Sequence, residues 1–261
     1  MKSVIYGPVA SWRLGRSLGV DIVSTGNKVC PFDCVYCQLG QTVRPVVRRR
    51  EFIAISELAR ELEEAGDIEI DYATFSGMGE PTLASNLGEA IGLVRSALGK
   101  PVAVLTNSSL MPREDVRHEL AQADVVMAKV DAPGELLYRR VNRPKIRCNL
   151  DDIVEAIRLF RGEYRGKLAL QMMFVDANKD SAAEMAKLAF ELSLDEVQLN
   201  TPLRPCGVSP LSPEEMANIK KEFSGLKNVI MVYEAARPQV APLDAAETLR
   251  RRPEPRRTTE T

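Results

Sequence analysis

The sequence predicts an α/β domain built on a parallel sheet, and three observations carry that prediction. Short β-branched and aliphatic runs recur along the chain, most of them starting about 25 to 45 residues apart, the spacing of βαβ crossovers. Helical stretches with recognisable starts lie between these runs. The length, 261 residues, is enough for one large domain and its core.

The strand candidates are 20–24, 72–76, 102–106, 125–130, 168–175 and 197–200, with 229–233 as a further one. Ser181-Ala-Ala-Glu184 and Ser212-Pro-Glu-Glu215 read as capping boxes, the second with Pro213 at the first helical position. Ile153, Ile157 and Phe160 form an apolar face at helical spacing and are read as plain core. Residues 131–149 lack clear periodicity, and a connection of that length is expected to be functional or disordered. From about residue 235 the texture changes to Pro, Arg, Glu and Thr, so 236–261 is expected to be a partly disordered tail.

Charge nearly cancels, at −1 overall, which excludes a global attraction to nucleic acid or to a membrane surface. Two basic knots interrupt this balance. Arg44, Arg48, Arg49 and Arg50 form one, and Arg250, Arg251, Arg252, Arg256 and Arg257 the other. Such runs either track an RNA backbone or are simply solvated. No apolar run approaches the ~18 residues of a membrane span, and the first ten residues lack a signal-peptide core. The expectation is a cytoplasmic protein without membrane contact. Five cysteines, three of them clustered, do not form a disulfide framework.

The chemistry points to Cys30-Pro-Phe-Asp-Cys34-Val-Tyr-Cys37. Three thiolates this close can hold three irons of a [4Fe–4S] cube, because soft sulfur suits such clusters. The fourth iron then lacks a protein ligand, and an open position on a metal centre is a place for chemistry. The alternative is a zinc knuckle. It needs a fourth ligand nearby, and the only histidine, His118, is distant and in a helix-like stretch.

This loop resembles the signature of the radical S-adenosylmethionine (SAM) superfamily, and the resemblance spans roughly residues 4 to 235. Within it the chain is similar to the group related to wyosine-tRNA synthetases. Tyr6-Gly7-Pro8-Val9, Arg13-Leu14-Gly15-Arg16-Ser17-Leu18-Gly19-Val20-Asp21 and Cys34-Val-Tyr-Cys-Gln-Leu-Gly40 carry that likeness. It implies a partial (β/α)6 barrel over 1–235, a [4Fe–4S] cluster on Cys30, Cys34 and Cys37, and SAM across the strands' C-terminal ends. It also implies reductive cleavage of SAM to methionine and a 5′-deoxyadenosyl radical, which takes a hydrogen atom from the substrate. The electron donor expected is a carrier such as ferredoxin or flavodoxin.

The same resemblance assigns cofactor contacts residue by residue. Ser76-Gly77-Met78-Gly79-Glu80-Pro81 stands where the family has Gly-Gly-Glu-Pro against the methionyl amino group, with Met78 in place of one glycine. The bland reading of this stretch is an ordinary strand-to-helix turn. Thr106 and Asn107, then Lys129 and Asp131, end strands and correspond to residues near the SAM ribose and carboxylate; each is alternatively a helix cap. Tyr36 is placed by the adenine. Gln171, Asn200 and Thr201 face either substrate or solvent. Arg140, Asn142 and Arg143, and separately Arg204, lie in stretches that recur in the group, and arginines beside an active-site mouth suit a phosphate or carboxylate.

No cysteine precedes Cys30, whereas wyosine synthetases carry extra ones there for a second cluster, which counts against wyosine chemistry itself. Cys148 and Cys206 read as small packing residues, Cys206 alternatively as a hydrogen-atom donor or covalent relay. The substrate readings are an RNA base, with Tyr36, Tyr138 and Trp12 as stacking partners, or a partner protein modified by an activase. A non-enzymatic iron–sulfur electron carrier is the reading from outside enzymology.

Overall fold

The computed structural model describes residues 3–24, 26–46 and 48–255. Eight strands form one curled sheet in strict chain order. They are β1 (Ile5–Ser11), β2 (Gly15–Val20), β3 (Tyr72–Phe75), β4 (Val102–Thr106), β5 (Val125–Lys129), β6 (Lys167–Met173), β7 (Glu196–Asn200) and β8 (Val229–Met231). β1 and β2 form an antiparallel hairpin, and every pairing from β2 to β8 is parallel. The result is the half-barrel of an α/β protein, with helices on the outer face.

Alternation along the strands separates core from lumen. Val102 and Val104, Val126 and Ala128, Leu168 and Leu170, and Val197 and Leu199 face the helices and join the main apolar core. Their neighbours point inward. Leu14, Ala103, Val125, Met127 and Ala169 fill the floor of the lumen. Leu105, Gln171, Met173 and Asn200 line the space above it.

The helices are α1 (Ile55–Ala65), α2 (Leu87–Leu98), α3 (Glu114–Leu120), α4 (Glu135–Val141), α5 (Leu150–Glu163), α6 (Ala182–Leu192), α7 (Pro213–Glu222) and α8 (Ala245–Arg251). α7 starts in the capping box expected, with Ser212 Oγ accepting from the Glu215 N–H and Glu215 answering the Ser212 N–H. Ile153, Ile157 and Phe160 of α5 are buried core, as their spacing requires.

Four elements differ from the sequence expectation. The first parallel strand is β2, not 20–24, and β1 escaped notice. Gly7, Gly15 and Gly19 break the apolar pattern of this hairpin; at Gly19 the Tyr6 ring occupies the space of a side chain, 2.1 Å from where a Cβ would be. Ser181 ends a single 3-10 turn and makes no capping bond, so its box does not form. Residues 131–149 contain α4, seven residues long and too short to show periodicity. Its first residue, Glu135, accepts the Leu150 N–H at the start of α5.

The fourth difference lies in the expected tail. α8, capped by Asp244, lies along β1, with the Leu243 N–H donating to the Gly7 carbonyl (2.6 Å) and the Gly7 N–H to Thr248 Oγ1 (3.0 Å). Arg251 is wholly buried: Nε donates to Asp21 Oδ2 at 2.8 Å, and the guanidinium also meets Glu247, Ser24, the Ser3 carbonyl and the Tyr6 ring. Arg256 and Arg257 lie outside the described residues. No helix among the described residues is long and apolar enough to cross a membrane.

Candidate active site

The cysteine loop leaves β2 and returns to α1, so it sits at the C-terminal ends of the parallel strands, where such sheets bind ligands. It is tied down at its entry. Val29 forms a parallel bridge with Gly79: the Val29 N–H donates to the Met78 carbonyl (2.8 Å), and the Glu80 N–H to the Val29 carbonyl (2.9 Å). A Cβ on Gly79 would lie 1.7 Å from the Val29 oxygen, and one on Gly77, at φ +147°, 2.3 Å from Asp21 Cγ. These glycines therefore serve first to dock the cysteine loop and Asp21 against the turn. Both glycines also border the cavity.

Cys30, Cys34 and Cys37 are unpaired and half-buried. The Phe32 N–H and the Asn107 side-chain amide each donate to Cys30 Sγ at 3.4 Å. The Asn142 amide approaches Cys34 Sγ at 3.6 Å. Burial pushes the Cys30 thiol up, and burial, then Asp131, pushes Cys34 up to about 11. Without a metal these sulfurs hold their protons; a bound metal removes them. Among the described residues no three acidic, histidine or cysteine side chains close around a single ion. A cubane needs no such point, because each thiolate takes a different iron. An all-sulfur donor set with amide donors aimed at two of the sulfurs fits a [4Fe–4S] cluster.

Beside the loop a cavity of about 280 Å³ opens into the lumen, bordered by Tyr36, Cys37, Gln38, Gly77, Gln171 and Asn200 among others. Gln171, Asn200 and Thr201 all reach it. Tyr36 borders it too, but its ring carries Lys129 Nζ on one face, 4.3 Å from the centroid, and its hydroxyl donates to Asp131. Burial, then Asp131, raises the Tyr36 phenol, so the proton stays on the tyrosine.

Asp131 is the hub of a buried network. It also accepts from Asn142 Nδ2 (2.6 Å) and the Met173 N–H (2.8 Å), with Lys129 Nζ at 3.4 Å. Asn142, which the sequence offered only as part of an arginine-bearing stretch, thus touches both this network and Cys34.

Glu80 and Thr106 are turned inward. Glu80 Oε1 accepts from the Thr82 N–H, Thr82 Oγ1 and Thr106 Oγ1, and Oε2 from the Asn107 N–H at 2.7 Å. Burial raises its carboxyl, and these hydrogen bonds hold it down in part. Its four bonds tie the turn after β3 to the end of β4, and so set the position of Asn107 against Cys30.

Of the remaining candidates, Cys206 packs with Cys34 on the Tyr36–Val141–Val175 cluster, and Cys148 Sγ reaches the Ser109 carbonyl at 3.5 Å. Arg48, Arg50, Arg140 and Arg143 are exposed. Arg49 is consumed internally by Asp115, Glu119 and the carbonyls of Thr82 and Ala84. Arg49 and Arg251 are therefore structural, not contacts for an RNA backbone. Sequence reading gave no weight to Arg13, Tyr6 or Asp21 as separate residues, although all three stand in the opening motifs.

The family model of the radical SAM superfamily matches residues 26–189. A UPF0026 protein of Methanocaldococcus jannaschii is 37% identical over 235 residues, covering 87% of this chain and 72% of its own. One from Synechocystis is 40% identical over 202 residues, covering 77% and 76%. The chain belongs to the radical SAM superfamily and, within it, to the UPF0026 family. Among solved structures, TYW1 with a lysine–pyruvate adduct bound superposes with a TM-score of 0.63 at 15% identity, over 81% of this chain and 74% of that one. Streptococcus suis SuiB bound to S-adenosylmethionine gives 0.61 at 13%, over 78% and 48%. These likenesses show the half-barrel fold.

Proposed function

We propose that this protein uses a [4Fe–4S] cluster on Cys30, Cys34 and Cys37 to cleave SAM reductively and begin a radical reaction on a substrate held in the half-barrel. When bound, the cluster supplies one electron, from a carrier such as ferredoxin or flavodoxin, and an open iron for SAM, yielding methionine and a 5′-deoxyadenosyl radical that abstracts a hydrogen atom. The observation that carries the reading is the docking of the cysteine loop, through the Val29–Gly79 bridge, beside a cavity at the C-terminal strand ends.

The chain's own residues do the positioning. Asn107 and Asn142 offer amide hydrogens to two sulfurs, which lowers electron density there and tunes the potential. The Asp131 network holds Tyr36 at the cavity wall, with Lys129 over its ring, and keeps the polar atoms of both paired, so neither competes as a hydrogen-atom or proton source. The half-barrel and α8 wall part of the cavity, which limits the water that reaches a reactive radical.

The test is anaerobic reconstitution. About four irons and four sulfides per chain are expected, as for one cubane, together with 5′-deoxyadenosine on addition of SAM and a strong reductant. A cluster that survives Cys34→Ala, or SAM binding equal in iron-free and iron-loaded protein, refutes the reading.

A further inference from the structure

Five arginines border the cavity: Arg13, Arg204, Arg237, Arg251 and Arg252. Arg251 is neutralised by Asp21 and Glu247. For the other four, among the described residues, no carboxylate lies within ion-pair distance. The Nε atoms of Arg13, Arg204 and Arg252 are buried and have no hydrogen-bond partner among those residues. The acid acting most directly on Arg13, Glu196, is already held by Lys167 at 2.8 Å and by Gln198 at 2.7 Å.

These arginines come from distant parts of the chain: the β1–β2 turn, the loop after β7, and the segments on either side of α8. They are near enough to oppose one another's charge. Burial, then Arg252 and Arg204, pulls Arg13 down to about 9; burial, then Arg252 and Arg237, does the same to Arg204. Burial lowers Arg252 as well. A fold that gathers like charges with unsatisfied donors is destabilised unless something supplies the missing acceptors.

We propose that Arg13, Arg204, Arg237 and Arg252 form an anion site for a phosphate group of the substrate, so that a phosphorylated small molecule is held in the half-barrel beside Tyr36 and Cys37. The proposal rests on reading the cavity as a radical SAM site and names the substrate class for it. A phosphate ester or diphosphate offers several acceptor oxygens and more than one charge, which matches forked guanidinium donors better than a lone carboxylate. The four face a space that residues 243–252 wall off along β1. A space of about 280 Å³ favours a small ester over a length of polynucleotide.

Titration calorimetry of the reconstituted, SAM-loaded protein with inorganic phosphate and with pyrophosphate is the test. Saturable binding is expected, tighter for pyrophosphate, and weakened by about tenfold or more in Arg204→Gln and Arg13→Gln, the scale of a lost charge-assisted pair. In phosphate-free buffer the same variants should melt higher than wild type, because repulsion is relieved. Arg237→Gln, at an exposed position, should weaken binding without touching the fold, and so keeps the test open if a buried variant misfolds.

No binding at millimolar pyrophosphate overturns the proposal. So does an equal loss of SAM affinity in Arg204→Gln, which would give the arginines to the SAM carboxylate. Arginine-dependent binding of bulk tRNA that pyrophosphate does not compete also overturns it. Iron content and SAM affinity are read on the same samples. If both are absent while arginine-dependent phosphate binding persists, it is the radical SAM reading that fails, not the anion site.

Discussion

Replacing Arg251 tests whether the C-terminal helix is part of the active-site architecture. Its side chain and that of Asp21 are both fully buried, and the two are joined at 2.8 Å. Asp21 Oδ1 has no hydrogen-bond partner, so Arg251→Met would leave a carboxylate buried with little compensation. Such a loss costs about 3–5 kcal/mol. In a chain of this size that corresponds to a fall in Tm of roughly 6–20 °C. Asp21→Asn in the same background removes the stranded charge and should restore about 2 kcal/mol or more, a coupling a double-mutant cycle reads directly. Because Asp21 also fills the space beside Gly77, the single variant should bind SAM less well while keeping its iron. Thermal melts of the four proteins, with SAM titrations on each, make the assay. A loss below about 1 kcal/mol in Arg251→Met, or no coupling to Asp21, would refute the argument, because a buried pair cannot be broken that cheaply.

Gly79→Ala places a methyl group 1.7 Å from the Val29 carbonyl, so the cysteine loop must shift; iron loading should fall although no ligand has changed, as iron analysis will show. Cys34→Ala should abolish the cluster, whereas Cys148→Ala and Cys206→Ala should retain about four irons per chain. Glu80→Gln turns an amide donor toward either the Asn107 N–H or the Thr82 and Thr106 hydrogens; a loss of about 1–3 kcal/mol in a denaturant melt is expected. The acid limb of stability follows from Asp115, held well below the usual carboxylate range by Arg113 and Arg49, and from Asp71, lowered by Arg16. Their folded values lie below the unfolded ones, so their contribution is present above about pH 4 and is lost as pH falls through the folded values. Arg113→Gln should make a plot of Tm against pH shallower on that side.

The parallel sheet was legible because β4 and β5 are nearly continuous apolar runs, β6 and β7 carry aliphatic residues at alternate positions, and all of them are spaced for helical crossovers. The cysteine loop was legible because its chemistry lies in three local residues. The β1–β2 hairpin was not. Its alternation is carried by glycines, and what replaces a side chain at Gly19 is a tyrosine thirteen residues earlier. The Glu80 and Asp131 roles were half legible: residue type and strand-end position suggested polar contacts, but only the fold shows that Thr106, Asn107, Tyr36 and Asn142 already take those carboxylates.

The C-terminal segment shows why composition misleads there. Residues 236–255 have few large apolar side chains, and on composition alone they cannot offset the entropy of ordering. What orders α8 is polar. Leu243 and Thr248 bond the backbone of β1, Gln38 Nε2 donates to the Arg251 carbonyl at 2.6 Å, and Arg251 meets an acid 230 residues away. None of these partners is visible from the local sequence. The same remoteness hides the anion site, whose arginines come from both ends of the chain and acquire a common meaning only when α8 closes the edge of the half-barrel. A basic knot that looked like a solvated tail therefore divides its work: Arg251 fastens the wall to Asp21, which packs against Gly77, and Arg252, whose Nε has no partner among the described residues, borders the cavity. Gln38 follows Cys37 directly, so the wall is also bonded to the cysteine loop. Ordering of α8 and ordering of the cysteine loop are on this account one event, and Arg251→Met should raise hydrogen exchange in both together. Exchange that rises in α8 while residues 30–40 keep their protection would separate them.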